Sequence, residues 1–227
     1  MNLDAVLDTV LDAPASGPRA HVHSRGDRFV VIDDLLPPAA FEETTAAFAA
    51  LRPKPVLSTI DPVHDGFAYR GGEDKQPLTA APDAPRWQRA VKEQITAHLD
   101  VVGARTGDDG LALTLSAWTY PAGSRLSWHN DAGAGRVGAY VYFAHQTWDA
   151  SWGGGLALID EESRDDAAHG AALVHTPVHP TLILPRPNRL VVFRARTMHS
   201  VQRVDPAAGD RTRRTWTGFI TEGNTHD

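Results

Sequence analysis

The stretch from residue 111 to residue 143 reads LALTLSAWTY-PAGSRLSWHNDAGAG-RVGAYVYF, and both of its ends alternate between apolar and polar or small residues. A period of two is typical of β-strands that bury one face. Later in the chain the pattern returns in five short runs separated by Gly, Pro, Asp and Asn: GLALID (155–160), TLILP (181–185), RLVVFRA (189–195), HSVQRV (199–204) and RRTWTGFIT (213–221). About seven short strands in roughly 110 residues predict an antiparallel sandwich or barrel.

The sequence before this β region is mixed in character. RFVVI at 28–32 predicts a strand, and apolar residues at helical spacing predict helices at 39–51 and 86–99. Each of these two helices follows a proline, which suits a helix start. A short amphipathic helix is also expected at 3–11, where Asp residues interrupt the apolar positions.

Residues 53–83 are rich in Pro, Gly and Asp, and they predict long loops with one strand around 67–69. No linker composition divides the chain. We therefore predict a single domain over 1–227, mainly β with flanking helices. In it a mixed helical and loop region (1–110) buttresses a β core (111–221).

Composition excludes several classes of protein. The chain has 227 residues, with 22 Lys+Arg against 28 Asp+Glu, and a formal net charge of −6. This balance argues against nucleic-acid and membrane partners, because both need a basic face. The absence of cysteine removes thiolate metal sites, disulfides and cysteine nucleophiles. No apolar run approaches the ~20 residues of a membrane span, so a cytoplasmic protein is expected. Nothing in the sequence indicates the oligomeric state.

Two His-x-Asp units occur, and geometry separates them. His98 and Asp100 lie in a predicted helix, where positions i and i+2 point in nearly opposite directions. His129 and Asp131 follow a predicted strand, where positions i and i+2 share a side. His199 also follows a strand. Two histidines and one carboxylate form the facial triad that binds Fe(II) and leaves three positions open; the alternative is a surface histidine beside a turn aspartate.

Arg213 is a candidate anion-binding residue. On a strand it shares one face with Thr215 and Thr217. A guanidinium that points into a small barrel is costly without an anion, and a dicarboxylate would supply one in a bidentate pair. The alternative is an arginine that points outward from an edge strand.

The order of these motifs resembles the prolyl-4-hydroxylase-like branch of the 2-oxoglutarate/Fe(II) dioxygenase superfamily. The resemblance covers residues 110–221, and residues 28–51 also fit the strand and helix that usually precede the core in that family. It is carried by Tyr120-Pro-Ala-Gly, His129-x-Asp131, Trp148…Gly153-Gly154-Gly155, Pro187-x-Arg-Leu-Val-Val-Phe193, His199-x-Val201 and Arg213-x-x-x-Thr-Gly-Phe.

The resemblance implies a double-stranded β-helix (jelly-roll, cupin-like) core and an oxygenase that uses Fe(II), 2-oxoglutarate and dioxygen, with stimulation by ascorbate. His129, Asp131 and His199 would hold iron. Arg213 would bind the distal carboxylate of 2-oxoglutarate, and Tyr120 would hydrogen-bond the same cosubstrate. The implied reaction hydroxylates an unactivated C–H bond of a small molecule, an amino acid or a prolyl or peptidyl substrate, and releases succinate and CO2.

The chain departs from the family in one position that contacts the cosubstrate. Where the family often has an inward tyrosine on the strand after the His-x-Asp loop, the alternation predicts Phe143 inward and Tyr142 outward. Trp128, beside a predicted ligand, and Tyr142 are candidates for the substrate pocket. Residues 53–83 and 161–180 are candidate loops over the site.

Two other classes of function are compatible with the residues alone. A cupin-like isomerase or hydrolase would keep the metal triad and ignore 2-oxoglutarate. A jelly roll without catalytic activity would only bind a ligand.

Overall fold

Twelve β-strands and two α-helices make up the part of the chain that the computed structural model describes, which is residues 19–104, 110–133, 135–163 and 179–222, without the side chains of residues 73 and 74. The helices are α1 (Pro38–Ala49) and α2 (Arg86–Ala97). The strands are β1 (His21–Arg25), β2 (Phe29–Asp33), β3 (Lys54–Leu57), β4 (Phe67–Pro77), β5 (Leu111–Tyr120), β6 (Leu126–His129), β7 (Arg136–Phe143), β8 (Leu156–Glu162), β9 (Thr181–Ile183), β10 (Leu190–Arg194), β11 (Thr197–Val201) and β12 (Arg213–Glu222).

The strands form two antiparallel sheets. The major sheet has the order β1-β2-β10-β7-β12-β5-β4-β3, and the minor sheet has the order β6-β11-β8-β9. Apolar side chains from both sheets pack into one cluster, in which Val141 and Phe143 of β7 meet Leu156 and Leu158 of β8. The predicted mainly β, jelly-roll architecture is confirmed.

Both helices cover the outer face of the major sheet. Trp87, Val91 and Ile95 recur every fourth residue along α2, and all three are buried. The Trp87 ring lies 4.8 Å from the ring of Trp216 on β12, and Phe48 of α1 meets the same indole edge-on at 5.2 Å. The first half of the chain therefore buttresses the β core, as its apolar spacing predicts.

The prediction of long loops over 53–83 with one strand around 67–69 is wrong in part. β3 and β4 form a hairpin there and extend the major sheet to its edge. Pro55 is tolerated because β3 is an edge strand. The backbone groups along its outer edge form no hydrogen bonds to another strand, so the missing N–H of proline costs little there. The helix expected at 3–11 and most of the segment 161–180 lie outside the described residues. Among the helices that are described, none is long and apolar enough to cross a membrane.

Gly218 lies where β12 passes too close to the backbone of β5 for any side chain. A Cβ at this position would lie 1.7 Å from the carbonyl oxygen of Thr114, which also accepts a hydrogen bond from the Tyr140 hydroxyl. We expect Gly218→Ala to destabilise the protein by about 1–3 kcal/mol, the cost of overpacking. Urea unfolding measures this change. Gly110→Ala is the matched control, because its Cβ would meet nothing within 4 Å; equal stability of the two variants would contradict the prediction.

Candidate active site

A cavity of about 360 Å³ lies between the two sheets and is rimmed by the β3–β4 hairpin. Its walls come mainly from inward residues of β5, β7 and β12 on the major sheet and of β6 and β11 on the minor sheet. All five residues that the sequence assigns to metal and cosubstrate line this one cavity: Tyr120, His129, Asp131, His199 and Arg213. The fold thus gathers groups that are far apart in the chain.

The two histidines and the aspartate converge on one point. His129 ends β6, and its register partner on the neighbouring strand β11 is His199. Asp131 places Oδ1 3.7 Å from His129 Nε2 and Oδ2 3.2 Å from His199 Nε2. The three candidate ligand atoms lie within 4.8 Å of one another. Two imidazoles and one carboxylate in this arrangement can hold a divalent metal ion on one face.

Backbone carbonyls set the tautomer of both imidazoles. His129 Nδ1 lies 2.8 Å from the Ser127 carbonyl oxygen, and His199 Nδ1 lies 2.8 Å from the Thr197 carbonyl oxygen. A carbonyl can only accept, so each Nδ1 donates and carries the proton. Nε2 is then the nitrogen of each ring that can bind a metal ion, and in both rings it faces the Asp131 carboxylate. Such support fixes the orientation of metal-binding histidines.

Asp131 differs in backbone geometry from the extended i, i+2 arrangement that the sequence suggests. Its φ is 54°, in the left-handed region that aspartate tolerates better than most residues. Its backbone carbonyl accepts a 3.2 Å hydrogen bond from Arg136 Nη1. Burial alone would raise the pKa of Asp131, but the hydrogen bond with His199 and the charges of His199, His129 and Arg136 hold it well below its usual range. The carboxylate is therefore ionised and ready to bind a cation.

Arg213 is the buried cation of the site. It is 1% exposed, its Nε donates to the Gly154 carbonyl at 2.7 Å, and its guanidinium lies 4.9 Å from the ring centroid of Phe143. Burial lowers the pKa of Arg213 to about 10, so it stays charged at neutral pH. Among the described residues, no carboxylate pairs with it, and its Nη2 has no hydrogen-bond partner. An orphaned, desolvated guanidinium fits the carboxylate of a bound ligand.

Two further residues support this anion site, and sequence reasoning did not assign either to it. Thr215, the second residue after Arg213 on the same strand face, has a buried Oγ1 without a partner. Gly154 has φ +69°, and a Cβ there would lie 3.0 Å from Arg213 Cδ. Alternation along β12 could have indicated Thr215, whereas the Gly154 contact depends on tertiary packing.

Tyr120 lies next to Arg213 in the cavity wall. Its ring centroid is 5.5 Å from the guanidinium carbon, and the side chain is 5% exposed. Burial raises the pKa of Tyr120 to about 12. The phenol therefore keeps its proton and can donate a hydrogen bond to an anion.

The assignment of Trp128 and Tyr142 to the substrate pocket is wrong. Neither side chain lines the cavity. Adjacent residues on a strand point to opposite faces. His129 faces the cavity, so Trp128 faces away from it. Tyr142 is fully buried in the core beneath the helices, and its hydroxyl donates to Asn188 Oδ1 at 2.9 Å. Phe143 faces inward, as the alternation predicts.

Comparison with known proteins identifies the family of this core. The family model of the 2OG-Fe(II) oxygenase superfamily matches residues 113–221. No curated protein matches the sequence significantly.

Solved structures share the fold at low sequence identity. A Pseudomonas putida prolyl-4-hydroxylase is 17% identical, with a TM-score of 0.53 over 86% of this chain and 92% of that one. A Trichoplax adhaerens prolyl hydroxylase, in complex with a hypoxia inducible factor peptide fragment, is 14% identical, with a TM-score of 0.57 over 86% and 84%. The epimerase SnoN, in complex with Fe3+, alpha ketoglutarate and nogalamycin RO, is 14% identical, with a TM-score of 0.60 over 87% and 80%.

The family match also decides between the classes of function that the sequence left open. It favours an iron enzyme that consumes 2-oxoglutarate over both a cupin-like isomerase or hydrolase and a jelly roll without catalytic activity. Fe(II) and 2-oxoglutarate are the cofactor and cosubstrate of this class, and the clustered histidines and aspartate fit the metal. The β core of this chain belongs to the 2OG-Fe(II) oxygenase superfamily, and the protein is a 2-oxoglutarate-dependent Fe(II) oxygenase.

Proposed function

We propose that this oxygenase hydroxylates an unactivated C–H bond of a small molecule, an amino acid or a peptidyl substrate. We further propose that His129, Asp131 and His199 hold the Fe(II). The observation that carries both proposals is the convergence of the three ligand atoms within 4.8 Å in the same cavity as the buried, unpaired Arg213. A metal site and an anion site in one cavity would suit a metal that acts together with an anionic cosubstrate.

Each of the three ligands has a defined role in this proposal. His129 and His199 present Nε2 because their Nδ1 protons are donated to backbone carbonyls. Asp131 supplies the single negative charge among the three ligands. A facial set of three ligands leaves the remaining positions for reactants.

Arg213 is proposed to bind the distal carboxylate of 2-oxoglutarate. Its Nη2 and the Thr215 hydroxyl are both buried without partners, and a carboxylate would satisfy both. Tyr120, which stays protonated, would donate to the same cosubstrate. Bound iron and 2-oxoglutarate supply the oxidising chemistry of the class, in which dioxygen is consumed and succinate and CO2 are released. The surrounding protein binds, orients and shields the reactants from water.

Two features of the whole chain enter the proposal. We treat residues 1–227 as one domain, because both helices pack on the same sheet that carries Arg213. We also place the protein in the cytoplasm, which its lack of cysteine permits.

The test is consumption of 2-oxoglutarate by the protein loaded with Fe(II). Anaerobic addition of 2-oxoglutarate should give saturable binding, and admission of air should then release succinate, measured by mass spectrometry. Oxidised substrate in a candidate panel should be heavier by one oxygen atom. Metal binding without any binding or turnover of 2-oxoglutarate would contradict the proposal and favour a cupin-like isomerase or hydrolase.

A further inference from the structure

Asp65 is a buried carboxylate in the loop that joins β3 to β4. Its exposed fraction is 0%. Oδ2 accepts hydrogen bonds from Ser58 Oγ at 2.8 Å and from the Asp61 backbone N–H at 3.1 Å. Oδ1 accepts a 2.5 Å hydrogen bond from the hydroxyl of Ser127 on β6. One carboxylate thus ties a loop at the cavity rim to the strand that ends in His129.

The Asp65 carboxylate is charged despite its burial. Burial alone would raise its pKa, but hydrogen bonds from Ser127, from Ser58 and from the Asp61 backbone hold the pKa below its usual value. Arg125 Nε lies 3.3 Å from Oδ1 and adds an ion pair. A buried charge is costly unless it is paired and hydrogen-bonded. Asp65 meets this condition, so it can hold its partners in fixed positions.

The ladder of the minor sheet is irregular at Ser127. His129 pairs in register with His199, and Leu126 pairs with Val201. Between these two pairs, β6 has two residues and β11 has one, which makes a β-bulge. Ser127 is one of the two residues on the bulged side. Pairing with β11 therefore fixes the backbone there less firmly than a regular ladder would.

The Ser127 carbonyl is the group that orients His129. It lies 2.8 Å from His129 Nδ1 and accepts its hydrogen bond, and such a contact fixes the orientation of a metal-binding imidazole. Asp65 holds the same residue through the Ser127 hydroxyl and backbone. A displacement of Ser127 would therefore turn the imidazole and move its Nε2 relative to Asp131 and His199.

We propose that Asp65 is a positioning residue for the metal site, and that it acts through Ser127 on the orientation of His129. The inference rests on the proposed function, because it takes His129 as a metal ligand. Groups that support metal ligands from outside contribute about 10–100-fold to metal affinity. The loop between β3 and β4 is then linked to the metal site that its cavity encloses.

The test compares two serines that donate to the two oxygens of this carboxylate. Ser127→Ala removes the donor on β6, and Ser58→Ala removes the donor in the loop. Co(II) replaces Fe(II), because it binds the same nitrogen and oxygen ligands and its visible absorption bands depend on their geometry. Titration of the metal-free protein gives the affinity, and circular dichroism shows that each variant is folded.

We expect Ser127→Ala to weaken Co(II) binding about tenfold, the lower end of the range for supporting groups, and to shift the visible bands. Asp65→Ala removes every contact of the carboxylate and should cause the same loss or a larger one. Ser127→Thr keeps the hydroxyl and should retain the wild-type affinity. Ser58→Ala is the matched control: it loosens the loop alone and should change neither the affinity nor the bands.

Wild-type affinity and bands in Ser127→Ala would overturn the inference. An equal loss of affinity in Ser58→Ala would also overturn it, because Asp65 would then serve the stability of the loop alone. If Asp65→Ala does not fold, the comparison of the two serine variants still gives the answer. Failure of the proposed function is seen separately: the wild-type protein would then not bind Co(II), or His199→Ala would bind it normally.

Discussion

Arg213→Met raises the dissociation constant of 2-oxoglutarate by about two to three orders of magnitude, because the cosubstrate carboxylate is then desolvated without a charged partner, at about 3–5 kcal/mol. Calorimetric titration of the Fe(II) protein without oxygen measures this change. The free energy of unfolding of the ligand-free protein should not fall, since methionine replaces a buried cation that has no carboxylate partner among the described residues. Loss of affinity without loss of stability distinguishes a binding role from a structural one.

Neighbouring substitutions show whether the effect belongs to this position. Arg214→Met removes the same charge one residue later on β12, where the side chain faces α1 and lies 6.0 Å from the Phe48 ring centroid; it should leave 2-oxoglutarate affinity unchanged. Arg213→Lys should recover part of the affinity, because lysine keeps the charge and loses the planar fork. Thr215→Val should weaken binding about tenfold, the value of one hydrogen bond to a charged group. Normal affinity in Arg213→Met would remove the proposed anchor.

Removal of any one of the three proposed metal ligands should abolish turnover. His129→Ala, Asp131→Ala and His199→Ala each leave two ligands, and we expect a loss of at least ~100-fold in metal affinity, since even the supporting partners of metal ligands contribute 10–100-fold. Metal retained after dialysis, measured by elemental analysis, and succinate release give two separate readouts.

His98→Ala is the control for these substitutions. It alters the other His-x-Asp unit, which lies at the end of α2, where Asp100 pairs with Arg25 instead of a histidine. This variant should bind metal and release succinate at the wild-type level. Wild-type metal content in His199→Ala would show that the metal is held elsewhere.

The sequence was sufficient to predict most of the β core and the residues that the cavity gathers. The alternation in LALTLSAWTY predicts β5 with its observed bounds, because most residues of that strand alternate between the core beneath the helices and the cavity. The same reasoning places Phe143 inward and Arg213 in the interior. Local alternation is enough to predict a strand and the direction of its side chains wherever the two faces of the strand have different surroundings.

What the sequence could not predict depends on contacts between distant strands. Trp128 is a different case, because the error there is local: adjacent strand residues face opposite ways, and His129 is the one that lines the cavity. β4 was missed beyond its first residues because Gly71 and Gly72 have low strand propensity, and pairing with β5 overrides it. The positive φ of Asp131 likewise follows from the tertiary packing around its loop, and no periodicity shows it.

The register that places His129 opposite His199 has a consequence for the dynamics of the fold. β6 is a four-residue strand at the end of the minor sheet, and β11 is its ladder partner. Under the proposed assignment, the metal acts as a clamp that joins two strands remote in sequence, and its binding free energy adds to the local stability of that sheet edge. Removal of the metal with a chelator should therefore speed amide hydrogen exchange in β6 and β11 first. The strands β5 and β12, in the middle of the major sheet, should keep their protection. Loss of the metal would then identify the β6 edge of the minor sheet as the part of the fold that unfolds locally first.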